Sequence, residues 1–520
     1  MTTDWGALQR VIEGDVVLPG SADYESVRKP VMARFEDLRP AAVVRCATPA
    51  DVAATLAVAR GLRLPTAIRS GGHSVAGRSS TDGIVLDVTP MHSVAVAEDV
   101  ATVGAGVRLG DLYDALATHG LTIPAGCGPS VGIAGLTLGG GLGILGRKHG
   151  LTCDHLLGAQ AVLADGRIVD CDEHHDGELF WALRGAGGGH FGVVTSLVFG
   201  TLPAPGVTVF QLTWPPAAAA AVAQAWQAFA PDAPEELDAT LRLTAAGDGE
   251  RPPGVEVVGT VLDGEADAAE QLGELVDRVG TDPVEASRRH LPHRAAKRYL
   301  EGLGSVEDRP ERSGPERPAP PGHLYTRSEF FRRPLPDETV AALVEHLTHG
   351  LAPGPSREVD FLPWGGAYNR VPADATAFAH RANASWPSTW SRSAPTPHRP
   401  SATPPATGWP APGRWCTHGD RGACTRTSPT PTSWTGRTPT TGPTTTAYGA
   451  SRQPTTRKGS STSTSHFPSG PAPCPQQAAE LRRWLAELLA DSAGAVGVAG
   501  EAQVSDSRAR WGSPTARPSI

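Results

Sequence analysis

The chain has 520 residues, a formal net charge of −8 and a hydrophobic fraction of 40%. This length allows two or more domains with separate cores, and the acidic balance without a cluster of Lys or Arg argues against binding nucleic acid through bulk charge. Because no apolar run of about 18 residues occurs and no basic-then-apolar segment opens the chain, we expect no membrane span, no signal peptide and a cytoplasmic location.

The cysteines give a further exclusion. The seven are scattered, and none forms a CxxC pair: Cys46, Cys127, Cys153, Cys171, Cys416, Cys424 and Cys474. This spacing argues against a zinc cage or a disulfide framework and favours reduced thiols. We predict no metal site.

The first part of the chain alternates strand and helix patterns. Residues 41–46 are an apolar run typical of a strand, and Thr48 followed by Pro49 has the pattern of an N-cap with Pro at the first helical position. The other predicted elements are helices at 51–60 and 109–119 and strands at 64–68, 84–88 and 101–103. We therefore expect an α+β or α/β domain with ligand-binding loops at strand ends.

One predicted strand runs into a loop, residues 69–74, here called the hexad loop, with the sequence Arg69-Ser70-Gly71-Gly72-His73-Ser74. Adjacent glycines let the backbone approach a ligand and present N–H groups as an anion nest. Arg69 is a natural phosphate partner, and His73 is a nucleophilic imidazole. The loop predicts a dinucleotide cofactor whose ring is bound beside His73, either without a covalent bond or through one to the imidazole.

Two more Gly-rich segments follow, the second block at residues 124–143 and the third loop at residues 185–195. The glycines of the second block are too many and too irregular for a single Rossmann turn, and no acidic residue stands at the required place after a βα unit. A nicotinamide dehydrogenase is therefore disfavoured. The segments suit an extended ligand lying along the backbone.

Three motifs in order carry a family resemblance. They are Arg-Ser-Gly-Gly-His-Ser at 69–74, Gly-Pro-Ser-Val-Gly-Ile-Ala-Gly-Leu-Thr-Leu-Gly-Gly-Gly at 128–141, and Leu-Phe-Trp-Ala-Leu-Arg-Gly at 179–185. The chain resembles the FAD-linked oxidases of the berberine-bridge-enzyme type, which carry the PCMH-type FAD-binding domain of the vanillyl-alcohol-oxidase superfamily. The resemblance implies an α+β fold: a two-subdomain FAD-binding domain, and a substrate domain with an antiparallel sheet backed by helices.

The resemblance also implies a cofactor site, with His73 bonded to the flavin 8α-methyl carbon. The hexad loop and residues Gly132 to Gly143 of the second block would cradle the pyrophosphate and the isoalloxazine, and Gly192 to Val194 would lie beside the nucleotide. The predicted FAD-binding residues are Arg69, Ser70, Gly71, Gly72, His73, Ser74, Gly77, Gly128, Val131, Gly132, Gly135, Leu138, Gly139, Gly140, Gly141, Gly143, Gly192 and Val194.

A second covalent bond is a separate question. Bicovalent members of the family have a Cys directly before Pro-Thr-Val-Gly, whereas this chain has Gly128 there and Cys127 one residue earlier. In extended backbone a one-residue offset points a side chain to the opposite face. We predict a single attachment through His73, with Cys127 as a packed thiol.

The remaining histidines are assigned no chemistry. His149 and His155 flank Cys153 and Asp154, but this segment matches a structural turn of the family. His174 and His175 stand in a polar run that predicts a solvated loop. For His190, where the family often has Asn, packing and a role at the flavin edge both remain open.

The predicted organisation has five parts. They are an N-terminal segment at 1–34, the FAD-binding domain at 35–205, the substrate domain at 206–381, a Pro/Ser/Thr-rich segment at 382–475, and a tail at 476–520. Residues 301–321 are predicted to be a charged, Pro-rich loop, and residues 376–381 a strand. The tail contains a candidate amphipathic helix at 478–489, either a genuine C-terminal helix or translation past the normal stop.

The Pro/Ser/Thr-rich segment does not look like a folded domain. Between Val371 and Leu481 no Leu, Ile, Val or Met occurs, so the chain there has too little apolar area to offset the entropy of ordering. A disordered linker explains this but not the five tryptophans Trp386, Trp390, Trp409, Trp415 and Trp434.

A frameshift explains both. When the frame moves back by one base, each Thr codon becomes a Tyr, Asn, Asp or His codon, and Thr435 after Trp434 becomes Asp. Residues 428–448 and 455–465 then decode to strings that resemble the family's C-terminal flavin-domain signature. The family's Tyr base often lies near that signature, and the positions matching it read Thr here, so we name no catalytic base.

The function implied by the resemblance is oxidation of a small hydroxylated molecule, a sugar or secondary metabolite. Hydride goes to flavin N5, and O2 is reduced to hydrogen peroxide. The alternative is a flavin-binding protein of the same fold without turnover, because its C-terminal base and lid are missing. The expected partners are substrate and O2, with no nucleic acid and no membrane; the oligomeric state stays open.

The frameshift makes a testable prediction about the gene. We expect the minus-one frame over codons 383–465 to be open and to encode the family's C-terminal signature. Sequencing this region decides the matter, since stop codons or unrelated residues in that frame would rule the hypothesis out.

Overall fold

A computed structural model describes residues 4–246, 253–262, 264–303, 323–348, 356–381 and 385–393. Most of the predicted charged loop at 301–321, most of the Pro/Ser/Thr-rich segment and the candidate helix at 478–489 lie outside these ranges. These residues form two sets of elements, each built around its own sheets.

The first set comprises α1 (Trp5–Val11), β1 (Asp15–Val17), α2 (Tyr24–Val27), β2 (Ala42–Arg45), α3 (Pro49–Leu62), β3 (Thr66–Arg69), β4 (Ile84–Asp87), β5 (Val94–Ala97), β6 (Val100–Gly104), α4 (Leu109–Ala117), β7 (Leu121–Thr122), α5 (Ile133–Leu138), α6 (Gly146–His149), β8 (Leu156–Val162), β9 (Ile168–Asp172), α7 (Gly177–Leu183), β10 (Val193–Gly200) and β11 (Leu202–Pro203). Its two larger sheets have the strand orders β1-β2-β4-β3 and β5-β6-β10-β8-β9. In the former, β2, β4 and β3 are parallel and β1 is antiparallel to β2; the latter is antiparallel throughout.

Helix α3 shows why the sequence pattern predicted this region well. The Thr48 hydroxyl accepts a hydrogen bond from the Asp51 N–H at 3.2 Å, and the Asp51 carboxylate accepts one from the Thr48 N–H at 3.4 Å. This capping box and Pro at the first helical position fix the start of the helix. The predicted helix at 51–60 is thus confirmed, two residues longer at each end.

The two larger sheets share one core. Val44, Leu86, Leu109 and Leu197 are fully buried in it, and each such side chain contributes about 1.5–3 kcal/mol of transfer free energy. The parallel strands end at the edge from which the hexad loop departs, so this core positions the predicted cofactor loops.

The second set comprises β12 (Gly206–Trp214), α8 (Ala219–Phe229), β13 (Leu237–Ala246), β14 (Gly254–Leu262), α9 (Glu265–Val279), β15 (Glu285–Pro292), α10 (His293–Leu303), β16 (His323–Ser328), α11 (Asp337–Thr348), β17 (Ser356–Pro363), α12 (Ala367–Arg370) and β18 (Ser385–Ser393). Seven strands form an antiparallel sheet, here called the large sheet, with order β15-β12-β14-β13-β17-β18-β16. Helices α8, α9 and α11 cover one face, where Trp226 is buried and donates from Nε1 to the Ala239 carbonyl at 2.7 Å. The antiparallel sheet backed by helices is therefore confirmed.

The predicted strand at 376–381 is wrong. These residues are irregular, and side chains rather than a backbone ladder hold them: Arg381 donates to both oxygens of Asp154 at 2.6 and 2.9 Å. Phe378 packs into the space beside Gly140 and Gly185. Hydrophobic spacing alone could not distinguish this anchored segment from a strand.

None of the helices in the described ranges combines the length and the apolar composition that crossing a bilayer requires.

Candidate flavin site

The hexad loop leaves β3 through a tight turn. Gly72 and Gly77 have φ of +76° and +74°, which glycine adopts without strain. The Ser70 hydroxyl donates to the Ala105 carbonyl at 2.6 Å, and the Ser74 carbonyl accepts from the Gly77 N–H at 2.9 Å. The turn is thereby tied to the residue that follows β6 and to the residues after the hexad loop.

The hexad loop and the second block meet backbone to backbone. A Cβ added at Gly71 would lie 2.2 Å from the Gly132 nitrogen, and one at Gly132 would lie 2.3 Å from the Gly71 nitrogen. The second block is held in this place because the Leu109 N–H donates to the Val131 carbonyl at 2.9 Å and the Ile133 N–H donates to the Val107 carbonyl at 3.0 Å. Two motifs about 60 residues apart thus form one surface, as an extended ligand requires.

Several glycines of the second block serve packing. Added Cβ atoms would lie 2.8 Å from the Phe378 ring at Gly140, 2.3 Å from the Thr152 hydroxyl at Gly141, and 1.9 Å from the Ala125 carbonyl at Gly143. A Cβ added at Gly135, in contrast, would meet no atom of the described residues within 4 Å apart from its chain neighbours and its own helix backbone. Protein atoms therefore fill the space beside three of these glycines, and their contribution to cofactor binding stays a prediction.

The third loop joins the same surface. The Gly187 N–H donates to the Leu138 carbonyl at 2.7 Å, and Ile68 lies beside Gly189. Val194 is buried on β10, whereas His190 and Phe191 are exposed, the latter by 46%. The three motifs converge, and for His190 a core-packing role is excluded.

Arg69 does not have the predicted orientation. Its guanidinium is buried and donates to three backbone carbonyls, those of Val27, Arg28 and Ser79, at 2.5, 2.9 and 3.0 Å. This corrects the expectation of a phosphate partner: Arg69 fastens the N-terminal segment to the loop.

His73 is half-buried at the meeting point of the two Gly-rich motifs. Its Nε2 lies 2.9 Å from the Ser130 hydroxyl. Burial, helped by the positive charge of Arg108, lowers the pKa of His73 below its usual range. The imidazole is therefore neutral at pH 7, which is the form that can act as a nucleophile.

The turn before Cys127 is clamped from two sides. Lys297 Nζ donates to the Ala125 and Gly126 carbonyls at 2.5 and 3.3 Å, and the Tyr113 hydroxyl donates to the Gly126 carbonyl at 2.7 Å. Cys127 itself is partly exposed and stands at a bend. Because the backbone bends at Cys127 and is not extended there, an offset of one residue does not decide which way its side chain points, and single attachment through His73 stays a prediction.

The other described cysteines differ from Cys127. Burial raises the pKa of Cys46 and Cys153 to about 12 and that of Cys171 to about 11. These thiols stay protonated at neutral pH and are inert.

Of the remaining histidines, His155 contacts the His149 carbonyl at 2.8 Å through Nε2. His175 pairs with Asp172 on an exposed loop, as its polar surroundings predicted. Both contacts are local and structural.

A charged cluster on the large sheet was missed by the sequence reasoning. Arg242 on β13 bonds Asp360 at 3.0 Å and Glu256 at 3.2 Å, and Glu358 lies 3.8 Å away. Gln211 donates to Glu256 at 2.7 Å. The alternation Glu358-Val359-Asp360 was the available signal, since it places two carboxyls on the face of β17 opposite the helices.

That face is the one turned toward the cofactor loops. Val209 and Leu262, on the same face, pack against Leu145, two residues after the second block ends. Asp238, four residues before Arg242 on β13, is half-buried. Desolvation raises its pKa to about 6, and the positive charges of Arg147 and Lys297 oppose this rise. Arg242 lies roughly 13 Å further along the strand.

These residues fit a dinucleotide flavin. Three loops converge, the backbones of the hexad loop and the second block approach closely enough to exclude a side chain between them, and a neutral, half-buried imidazole stands where these two meet. Comparisons with known proteins agree: residues 40–172 match the FAD binding domain family. The uncharacterized FAD-linked oxidoreductase YgaK of Bacillus subtilis is 31% identical over 379 residues, covering 71% of this chain and 79% of that protein.

Two solved structures extend the match. Berberine-bridge-enzyme-like 1 of Physcomitrella patens is 26% identical with a TM-score of 0.64, covering 75% of this chain and 83% of that one. Glucooligosaccharide oxidase from Acremonium strictum, which carries 6-S-cysteinyl, 8α-N1-histidyl FAD, is 27% identical with a TM-score of 0.64, covering 74% and 81%.

Fold and site together define an FAD-binding enzyme of the PCMH type. The chain belongs to the FAD-linked oxidoreductases of the berberine-bridge-enzyme type.

The Gly71–Gly132 contact leads to a prediction. Gly71→Ala should force the hexad loop and the second block apart, cost about 1–3 kcal/mol through overpacking, and lose most of the bound FAD. The measurements are the 450/280 nm absorbance ratio and the thermal unfolding midpoint. Gly61→Ala is the control, because a Cβ at that position in α3 would meet no described atom within 4 Å outside its own helix, and it should keep full flavin. An FAD content equal to wild type in Gly71→Ala would contradict the role given to this contact.

Proposed function

We propose that this protein oxidises a small hydroxylated molecule, a sugar or a secondary metabolite, with O2 as electron acceptor and with FAD bonded to His73. The observation that carries the proposal is the convergence of three loops on a surface where His73 stands neutral and half-buried. When bound, FAD supplies a two-electron acceptor that takes hydride at N5 and is reoxidised by O2, giving hydrogen peroxide.

The proposed oxidation also needs a side chain that accepts the hydroxyl proton of the substrate, that is, a general base. Tyr368 is unsuited, since it is buried, donates to the Gly143 carbonyl at 3.3 Å, and has a pKa raised by burial. The charged cluster on the large sheet is a better candidate. Burial and the neighbouring Asp360 raise the pKa of Glu358 to about 8, which brings its titration close to neutral pH.

Arg242 gives the two carboxyls different roles. Its Nε bonds Asp360 at 3.0 Å and opposes the rise that burial produces in the Asp360 pKa, whereas Glu358 makes only the longer contact of 3.8 Å. We assign Asp360 as the ionised partner of Arg242 and Glu358 as the group that takes the proton. A general base with a pKa near the operating pH contributes roughly 10²–10⁴-fold to the rate.

Two measurements test the proposed function. Full-length protein should be yellow, keep its flavin after acid precipitation, and release peroxide with at least one member of an alcohol and sugar panel. Retained flavin without peroxide would favour the alternative of a flavin-binding protein without turnover. Flavin that is lost on precipitation would exclude attachment through His73.

The raised Glu358 pKa leads to a pH prediction. Because the base form exists above about pH 8, kcat/KM should rise with pH through this value and level off beyond it. Glu358→Gln should lower kcat/KM about 10²-fold or more and remove the inflection. Glu270→Gln, on the exposed face of α9, is the matched control and should leave the profile unchanged. A wild-type inflection that persists in Glu358→Gln would assign it to another group.

A further inference from the structure

The two nitrogens of His73 have different surroundings. Nε2 lies 2.9 Å from the Ser130 hydroxyl, whereas Nδ1 makes no hydrogen bond to any residue within the described ranges. The ring is therefore held at one nitrogen, and the other is available.

Ser130 is itself rigidly placed. The residues on either side of it are pinned to the start of α4, because the Gly110 N–H donates to the Pro129 carbonyl and the Leu109 N–H donates to the Val131 carbonyl, both at 2.9 Å. The Ser130 carbonyl would lie only 2.8 Å from a Cβ at Gly71, so the hexad loop also packs against it. Its hydroxyl is a fixed reference point for the imidazole.

A hydroxyl suits both states of a reacting imidazole. When Nδ1 carries the lone pair, Nε2 carries the proton and donates it to Ser130; after Nδ1 has formed a bond and Nε2 has lost its proton, Ser130 donates in return. An alanine supports neither state, and a threonine supports both. The nearby positive charge of Arg108 disfavours the imidazolium, which has no lone pair to use.

We propose that Ser130 is the positioning residue for flavin attachment, holding Nε2 of His73 so that Nδ1 forms the bond to the flavin 8α carbon. The inference rests on the proposed attachment through His73. One N–C bond forms; the imidazole N–H proton and one 8α C–H hydrogen leave; two electrons and two protons reduce one O2 to hydrogen peroxide.

The test compares Ser130→Ala, Ser130→Thr and wild type as purified full-length holoproteins. The first measurement is the fraction of FAD that survives acid precipitation, at matched total FAD. We expect this fraction to fall about tenfold in Ser130→Ala and to return in Ser130→Thr. His73→Ala should show none, and Ser26→Ala, an exposed serine of α2, should match wild type.

The second measurement identifies the bonded nitrogen. NMR of the flavinyl peptide should show attachment at Nδ1 in wild type and some attachment at Nε2 in Ser130→Ala, a change that a merely structural role would not produce. Ser130→Gly supplies the same comparison if Ser130→Ala folds poorly.

The outcomes separate the two ideas. The role of Ser130 would be overturned if wild type and the variants lacking the hydroxyl had equal covalent fractions and showed attachment only at Nδ1. Attachment through His73 would then still stand. No covalent flavin in wild type would overturn both. A low covalent fraction in Ser130→Thr as well would also contradict the proposal, because the hydroxyl would then not be the feature that matters.

Discussion

The close approach of Gly71 and Gly132 is the constraint on which the site depends. Neither backbone leaves room for a Cβ, so the loop after β3 and the start of α5 lie together only if both positions are glycine. The contact between His73 and Ser130 follows from this approach, because His73 lies two residues after Gly71 and Ser130 two residues before Gly132. A cradle built in this way presents main-chain N–H groups and needs no charged side chain to hold an anionic cofactor.

Two buried cations, Arg147 and Lys297, join the first set of elements to the second. Arg147 donates to the Ala230 and Ala233 carbonyls at 2.8 and 2.6 Å, and Lys297 donates to those of Ala125 and Gly126. Apolar surfaces tolerate sliding, whereas a buried cation without its acceptors costs several kcal/mol. The contacts of Arg147 and Lys297 therefore fix how the two sets of elements pack against each other. This packing in turn sets the position of the carboxyl groups on the large sheet.

What the sequence revealed depended on how local each signal was. The Thr48 cap and the glycines of the three loops could be predicted because their causes lie within a few residues or in backbone geometry alone. Arg69 was misassigned because its residue type allows phosphate binding, while its partners Val27 and Arg28 lie some forty residues earlier. The Arg242 cluster combines three strands, and only their pairing register, Arg242 opposite both Glu256 and Asp360, brings the charges together.

The same register explains how one enzyme can hold an anionic cofactor beside acidic residues. Along β13 the order from the cradle outward is Asp238, near the cations Arg147 and Lys297, and then Arg242 with its three carboxyls. Cations thus stand next to the cofactor loops, and the carboxyls lie roughly 13 Å further along the strand. The Debye length is about 8–10 Å, so salt would screen the repulsion between phosphates and solvent-exposed carboxylates at that distance. Buried groups are screened less. The cations Arg147 and Lys297, which lie between the cofactor loops and the carboxyls, therefore offset this repulsion. If Glu358 is the proton acceptor as proposed, moving it closer to the hexad loop and its anionic cofactor would raise its pKa further and leave less of the base form at neutral pH. This is a physical reason for the proposed base and the cofactor loops to belong to different sheets.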